Sequence, residues 1–224
     1  MNGSTEILQG EIEQQSQRQS GPVLEFWFEF ASTYSYLSAM RIETLAQDAG
    51  LTVAWRPFLL GPIFKKHGWS TSPFNLYPAK GLYMWRDMER ECEKYGLPLR
   101  MPVPFPQNSL LAARLAFAGQ ASPWIGQFVR SVFMAEFGQG EDISDPALLS
   151  ALLMEAGAPA KDMMARAEAP ETKAGLRTCV TEAEKRGIFG APSFVASDGD
   201  LFWGNDRLED SIAAAAKLAG PGKK

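Results

Sequence analysis

The stretch Leu24–Arg41, LEFWFEFASTYSYLSAMR, decides how the rest of the chain is read. Its first half, Leu24-Glu25-Phe26-Trp27-Phe28-Glu29-Phe30, is an apolar and aromatic run that fits a buried strand, because such side chains pack well on a pleated surface. Its second half places Tyr34, Leu37, Ala39 and Met40 near a helical period. Ala31-Ser32-Thr33 lies between, so Ser32 falls where the carboxyl end of a strand turns into a helix. A helix start carries unpaired N–H groups and a partial positive charge, which together seat an anion. Ser32 or Thr33 therefore either caps the helix or faces a ligand.

Gly50 ends that helix, and Leu51–Phe58 reads as a second strand. The helix between the two strands makes a βαβ unit, with parallel strands and a right-handed crossover. Leu59–Pro78 is punctuated by Gly61-Pro62, Gly68 and Ser72-Pro73 and reads as one long loop, a common home of function. It carries Lys65, Lys66, His67, Trp69 and Asn75, all able to reach a ligand. A helix is expected over Ala79–Tyr95, then an extended connector over Met101–Pro106, which holds three prolines. Further helices are expected over Asn108–Gly119, Ser122–Phe137, Pro146–Gly157, Ala160–Glu168 and Glu171–Arg186. Ser122-Pro123 and Asp145-Pro146 read as cap-then-proline starts. Asp162, Glu168, Glu171, Glu182 and Glu184 read as solvated faces, and no carboxylate pair stands out for acid–base work. Gly187–Pro192 leads into a strand, Ser193–Ala196. Asp198-Gly199 is a hairpin turn, Asp200–Trp203 the returning strand, and Gly204–Leu208 the opening of a last helix capped by Asn205 or Asp206.

The chain has 224 residues, enough for one good core or for one domain carrying an insertion. A net charge of −4 argues against nucleic acid or an anionic membrane as partner. No apolar run reaches membrane-span length, and the amino terminus lacks a charged-then-apolar export signal, so a cytoplasmic protein is expected. Residues 1–21, rich in Gln, Ser, Gly and Glu, read as a disordered lead. Cys92 and Cys179 stand far apart, without a C-x-x-C, and read as free thiols. With His67 as its one histidine, the chain is not expected to hold a metal.

The element order, βαβ, a long helical block, then ββα, outlines an α/β, thioredoxin-like domain with a large helical insertion. The thioredoxin-like part is expected over 22–60 and 187–220, and the insertion over 61–186.

Four stretches, EFWFEFASTYSYLSAMR, WRPFLLGPIF, YPAKGLYMWRDMER and FGAPSFV…LFWGNDRL, together resemble the 2-hydroxychromene-2-carboxylate isomerases. These are relatives of the kappa-class glutathione transferases and, more distantly, of disulfide oxidoreductases of the DsbA type. The resemblance covers nearly everything from residue 23 to about 215. It implies glutathione as cofactor, a homodimer, a small aromatic acid as substrate, and a place in aromatic catabolism. By position, Ser32 matches the family's active-site serine, where thioredoxin relatives keep a reactive cysteine. Ala191 and Pro192 match the residues before and at the cis-proline, whose backbone pairs with the tripeptide like an added strand. Trp203, Gly204, Asn205 and Asp206 match the segment that holds the γ-glutamyl end of glutathione. Phe74 and Asn75 align near residues that contact the aromatic acid, and Phe64 lies near a position where a lysine can occur, with Lys65 and Lys66 one and two residues on. The family usually follows its serine with proline; here Thr33 stands in that place. Alternative expectations are a kappa-like transferase or peroxidase, a non-catalytic glutathione- or partner-binding module, and a hydrolase using Ser32 with His67, which lacks a G-x-S-x-G elbow.

Overall fold

The computed structural model describes residues 21–218. The expected lead therefore lies, but for Gly21, outside the described residues, as do positions 219–224. A four-stranded sheet forms the centre. Strand β1 (Val23–Phe28) pairs in parallel with β2 (Thr52–Pro57) and antiparallel with β3 (Ser193–Val195), which pairs antiparallel with β4 (Leu201–Trp203). The order is β2-β1-β3-β4. β1 is central and buried on both faces, which is why its sequence runs apolar almost without alternation. Phe26 and Phe28 enter one core, stacked at 5.2 Å, with Phe26 also on Phe194 at 5.5 Å and edge-on to Trp55. Trp27 enters the other core, with Phe58, Ile63, Val180, Ala183, Ile188 and Val195.

The helix expected after Ser32 is two helices, α1 (Thr33–Ala39) and α2 (Ile42–Asp48). At the break, Arg41 lies 3.9 Å over the Tyr95 ring and donates to Asn205 and Glu209. Two of those anchors come from the far end of the sequence, so local periodicity does not report them.

The long loop expected over Leu59–Pro78 is largely helical: α3 (Leu60–Lys66) and α4 (Pro73–Leu76). Ser72 caps α4, accepting from the Phe74 N–H at 3.3 Å, with Pro73 at the first helical position, where its missing N–H costs nothing. α3 has no local side-chain cap; the cap comes from Glu29, whose Oε2 accepts from the Leu60 N–H at 2.9 Å. α5 (Pro78–Tyr95) stops at Gly96, whose φ of 66° a side chain with a Cβ adopts at a cost.

The insertion continues with α6 (Leu110–Gly119), α7 (Ile125–Phe133), α8 (Pro146–Glu155), α9 (Ala160–Glu168) and α10 (Pro170–Lys185). Asp145 caps α8 as expected, accepting from the Ala147 N–H at 2.8 Å, whereas α7 starts only at Ile125, so Ser122 is not its cap. α7 runs on as a wider π-helical turn, Met134–Gln139, in which Ala135, Glu136 and Phe137 are all buried. After the β3–β4 hairpin, a 3₁₀ turn (Asn205–Arg207) leads into α11 (Leu208–Leu218). Among the described residues no helix is long and apolar enough to cross a membrane, both cysteines are free and buried, and no three His, Cys, Asp or Glu side chains converge as metal ligands. Burial raises the Cys92 thiol to about 11, away from thiolate chemistry.

Candidate active site

Ser32 stands at the position before α1 with extended backbone, and its Oγ accepts from the Ser35 N–H at 3.2 Å. The same hydroxyl donates to the carbonyl of Ala191 at 2.9 Å. A hydroxyl has one proton and two lone pairs, so it does both at once. The cap is thus also a tie across the fold, half-buried against a turn 159 residues away in sequence.

That turn contains a cis peptide bond, Ala191-Pro192. The Pro192 carbonyl accepts from the Gly204 N–H at 3.0 Å, joining the turn to the end of β4. Gly190 lies under the indole of Trp203, where an added Cβ would collide with Nε1. Trp203 is 52% exposed and packs on Phe189 at 4.8 Å, so its outer face forms a shelf beside the cis-proline. At Gly204 φ is 108°, and an added Cβ would fall 2.5 Å from the Asp206 carboxylate, which curls back over the backbone there.

Asn205 behaves otherwise than a helix cap. It is buried, and its Oδ1 accepts from Ser38 at 3.0 Å and from Arg41 at 3.2 Å, pinning the 3₁₀ turn to the α1–α2 break. Asp206 is exposed, 3.5 Å from the Arg207 guanidinium.

The candidate substrate residues form a separate group on α3 and α4. Phe64 packs on Trp69 at 5.5 Å, and Phe74 packs against the main core. Lys66 is held by Glu184 at 2.5 Å, whereas Lys65 stands exposed. Asn75 is exposed, and its amide donates to Thr71 at 3.4 Å and to the Phe105 carbonyl at 3.3 Å. His67 lies at the exposed end of α3 near Trp69, and the partners of the Ser32 hydroxyl are Ser35 and Ala191, so no serine–histidine pair is formed.

The chain also carries two buried carboxyl groups in one neighbourhood, Glu29 and Glu136. Glu29, 5% exposed, accepts from Ser109 and Leu60, with the Ala31 N–H at 3.5 Å. Glu136 is fully buried with neither oxygen partnered. Burial first, then the charges of Glu29 and Asp142, raise the Glu136 carboxyl well above its ordinary value near 4.5. Burial also raises Glu29, opposed by its hydrogen-bond donors. The one signal in the sequence is a charge between two aromatic residues, Phe28-Glu29-Phe30, at the end of β1.

Glu136 should make stability depend on pH. Between 4.5 and the raised value, the folded protein holds a proton on Glu136 that the unfolded chain has released. Stability contributed below that window is therefore lost as pH rises through it, by at most about 1.4 kcal/mol per pH unit for one group. Glu136→Gln should match wild type in urea at about pH 4 and resist urea better at about pH 7; parallel pH profiles for the two proteins would rule this out.

Residues 23–215 match the family model described as a DSBA-like thioredoxin domain, and the chain belongs to that family. Within it, the chain is similar to the 2-hydroxychromene-2-carboxylate isomerases. The enzyme of that name from Sphingobium xenophagum is 30% identical over 187 residues, which cover 83% of this chain and 94% of the relative. Human glutathione S-transferase kappa 1 is 27% identical over 199 residues, which cover 83% of this chain and 87% of the relative. A solved structure of 2-hydroxychromene-2-carboxylate isomerase superposes with a TM-score of 0.77 at 26% identity, over 88% of this chain and 95% of that one.

Proposed function

We propose that this protein is a glutathione-dependent isomerase of 2-hydroxychromene-2-carboxylate or a related aromatic acid, working in the cytoplasm as a homodimer in aromatic catabolism. The observation that carries the reading is the Ser32 hydroxyl set against the cis Ala191-Pro192 turn, where a serine rather than a thiol crowns the first helix. The residues around it fit a thiol tripeptide. Ala191 offers backbone for strand-like pairing, Trp203 an exposed flat face, and Asp206 a carboxylate for an ammonium group. When bound, glutathione would supply a thiolate that adds reversibly to the conjugated double bond of the open-chain acid, allowing rotation about that bond.

The protein's own contribution is to orient and to stabilise charge. A free thiol of this kind has a pKa of about 8.5, so a donor beside it is needed for ionisation near neutral pH. With glutathione bound, the Ser32 hydroxyl would donate to its thiolate in place of the Ala191 carbonyl, and the start of α1 would add its partial positive charge. Asn205 holds the 3₁₀ turn through Ser38 and Arg41, so that Asp206 faces outward. With Lys66 engaged by Glu184 and the Asn75 amide hydrogens engaged by Thr71 and Phe105, we assign exposed Lys65 as the cation for the substrate carboxylate, with Phe64 and Phe74 as apolar walls.

Calorimetric titration with glutathione, followed by a spectroscopic isomerase assay, tests the reading; no measurable affinity would end it. Asp206→Ala should raise the glutathione Kd about tenfold, the scale of one charge-assisted hydrogen bond at about 1.5 kcal/mol. A Kd within twofold of wild type would take Asp206 out of the site. The likeness to the kappa-class transferase supports a second reading, transfer to another acceptor. Product analysis separates the two, since an isomerase returns glutathione and a transferase yields a conjugate.

A further inference from the structure

We propose that Glu29 is a positioning residue that fixes the loop bearing Ser32 relative to the helix bearing Phe64 and Lys65. Its carboxylate meets three segments of chain at one buried point. Oε2 accepts from the Leu60 N–H at 2.9 Å, the first amide of α3. Oε1 accepts from the Ser109 hydroxyl, at the entry to α6, and from the Ala31 N–H at 3.5 Å, one residue before Ser32. The Glu29 backbone carbonyl accepts from the Ser32 N–H at 3.0 Å, so the same residue grips the serine loop twice. α3 has no cap of its own, and without Glu29 its start is held at this point by nothing local.

The charge is part of the grip. All three groups aimed at Glu29 are donors, which favours its ionised form, whereas Glu136 has no donor and is the better seat for a proton. Glutamine at position 29 keeps the volume but turns an NH₂ toward one of the donors. The Ser109 hydroxyl can rotate to accept from it; the amides of Ala31 and Leu60 cannot. With the NH₂ in the place of Oε1 the Ala31 contact is lost, and in the place of Oε2 the Leu60 contact is lost, so either way the two halves of the site lose their fixed spacing. A misplacement of about 1 Å between reacting groups costs up to about a hundredfold in rate.

The turnover arm of the test rests on the glutathione reading above; the hydrogen-exchange arm does not. Glu29→Gln is expected to lower turnover at saturating glutathione by about ten- to a hundredfold. The glutathione Kd should stay within about threefold, and amide exchange should quicken in residues 31–33 or in residues 60–66, whichever amide meets the NH₂, while the sheet keeps its protection. Glu136→Gln, equally buried, should leave turnover within about twofold, since it aims at none of these segments. Leu60→Pro offers a second route that leaves Glu29 in place. It deletes the donor at a first helical position where proline is tolerated, after a residue already extended at φ −118° and ψ 123°. Leu60→Ala, which keeps the N–H, controls for the lost side chain at the edge of the Trp27 core. Leu60→Pro should loosen α3 and reproduce the loss of turnover, and Leu60→Ala should do neither.

Wild-type exchange in residues 60–66 and 31–33 of Glu29→Gln would overturn the proposal. So would faster exchange throughout the chain, which marks a core residue only, or an equal loss of turnover in Glu136→Gln. If wild type binds no glutathione, the functional reading falls and exchange alone decides the role of Glu29.

Discussion

Replacing Ser32 by alanine is expected to lower glutathione-dependent turnover by about ten- to a thousandfold, the scale of losing one oriented hydrogen-bond donor at a developing charge. The same substitution removes a helix cap, because Oγ also accepts from the Ser35 N–H at 3.2 Å, and so should cost about 1 kcal/mol of stability. The two effects separate in Ser32→Asp. A carboxylate keeps the cap and complements the start of α1, but it has no proton to donate and repels a thiolate. Stability should recover in part in that variant, since the cap returns but the carboxylate faces the Ala191 carbonyl to which the hydroxyl donates, while turnover stays low. Steady-state kinetics and urea melts on the three proteins decide the matter. Turnover that survives in Ser32→Asp would mean that the hydroxyl is a cap and nothing more.

Phe133→Ala carries the largest expected loss of stability, about 3–5 kcal/mol. Phe133 is fully buried, with ring centroids 5.0 Å from Phe30, 6.1 Å from Phe28, 6.4 Å from Phe137 and 6.5 Å from Tyr36. It is the side chain through which the last helical turn before the π segment meets the sheet and α1. Large-to-small changes at such a site lose the transfer free energy of the ring and leave a cavity that neighbours bound into strands and helices fill poorly. The expected readout is a lower urea midpoint with an unchanged slope and a single transition. A loss below about 1 kcal/mol would show that the cluster repacks around the gap, and a second transition would show that insertion and sheet unfold apart.

How far the sequence reaches depends on the range of the interactions involved. β1 is legible because a strand buried on both faces must be apolar almost throughout, and α8 because Asp145-Pro146 caps a helix using residues that are neighbours in the chain. α5 is legible for the same reason, with Gly96 supplying the left-handed stop. The stretch after β2 reads wrongly as a loop because the cap of α3 lies 31 residues away on Glu29. The first helix reads as one piece because Arg41 finds its partners, Asn205 and Glu209, more than 160 positions along the chain.

The candidate site divides in the same way. Ser32 can be picked out because strand, turn and helix are all within about ten residues of it. Its partner, the carbonyl of Ala191, stands 159 residues on and enters only through the resemblance or through the fold. Asn205 looks like a cap and proves to be an internal tie, and Lys66 looks free and proves to be paired with Glu184. Both readings fail because side-chain partners are set by tertiary packing, to which composition and periodicity are blind. The sequence by itself determined the strand–serine–helix and hairpin–helix ends of a thioredoxin-like domain, since these follow from local burial and turn chemistry. Only the tertiary structure decided that a buried glutamate joins the serine loop to α3, because a hydrogen bond between distant segments exists only once the chain has closed around it.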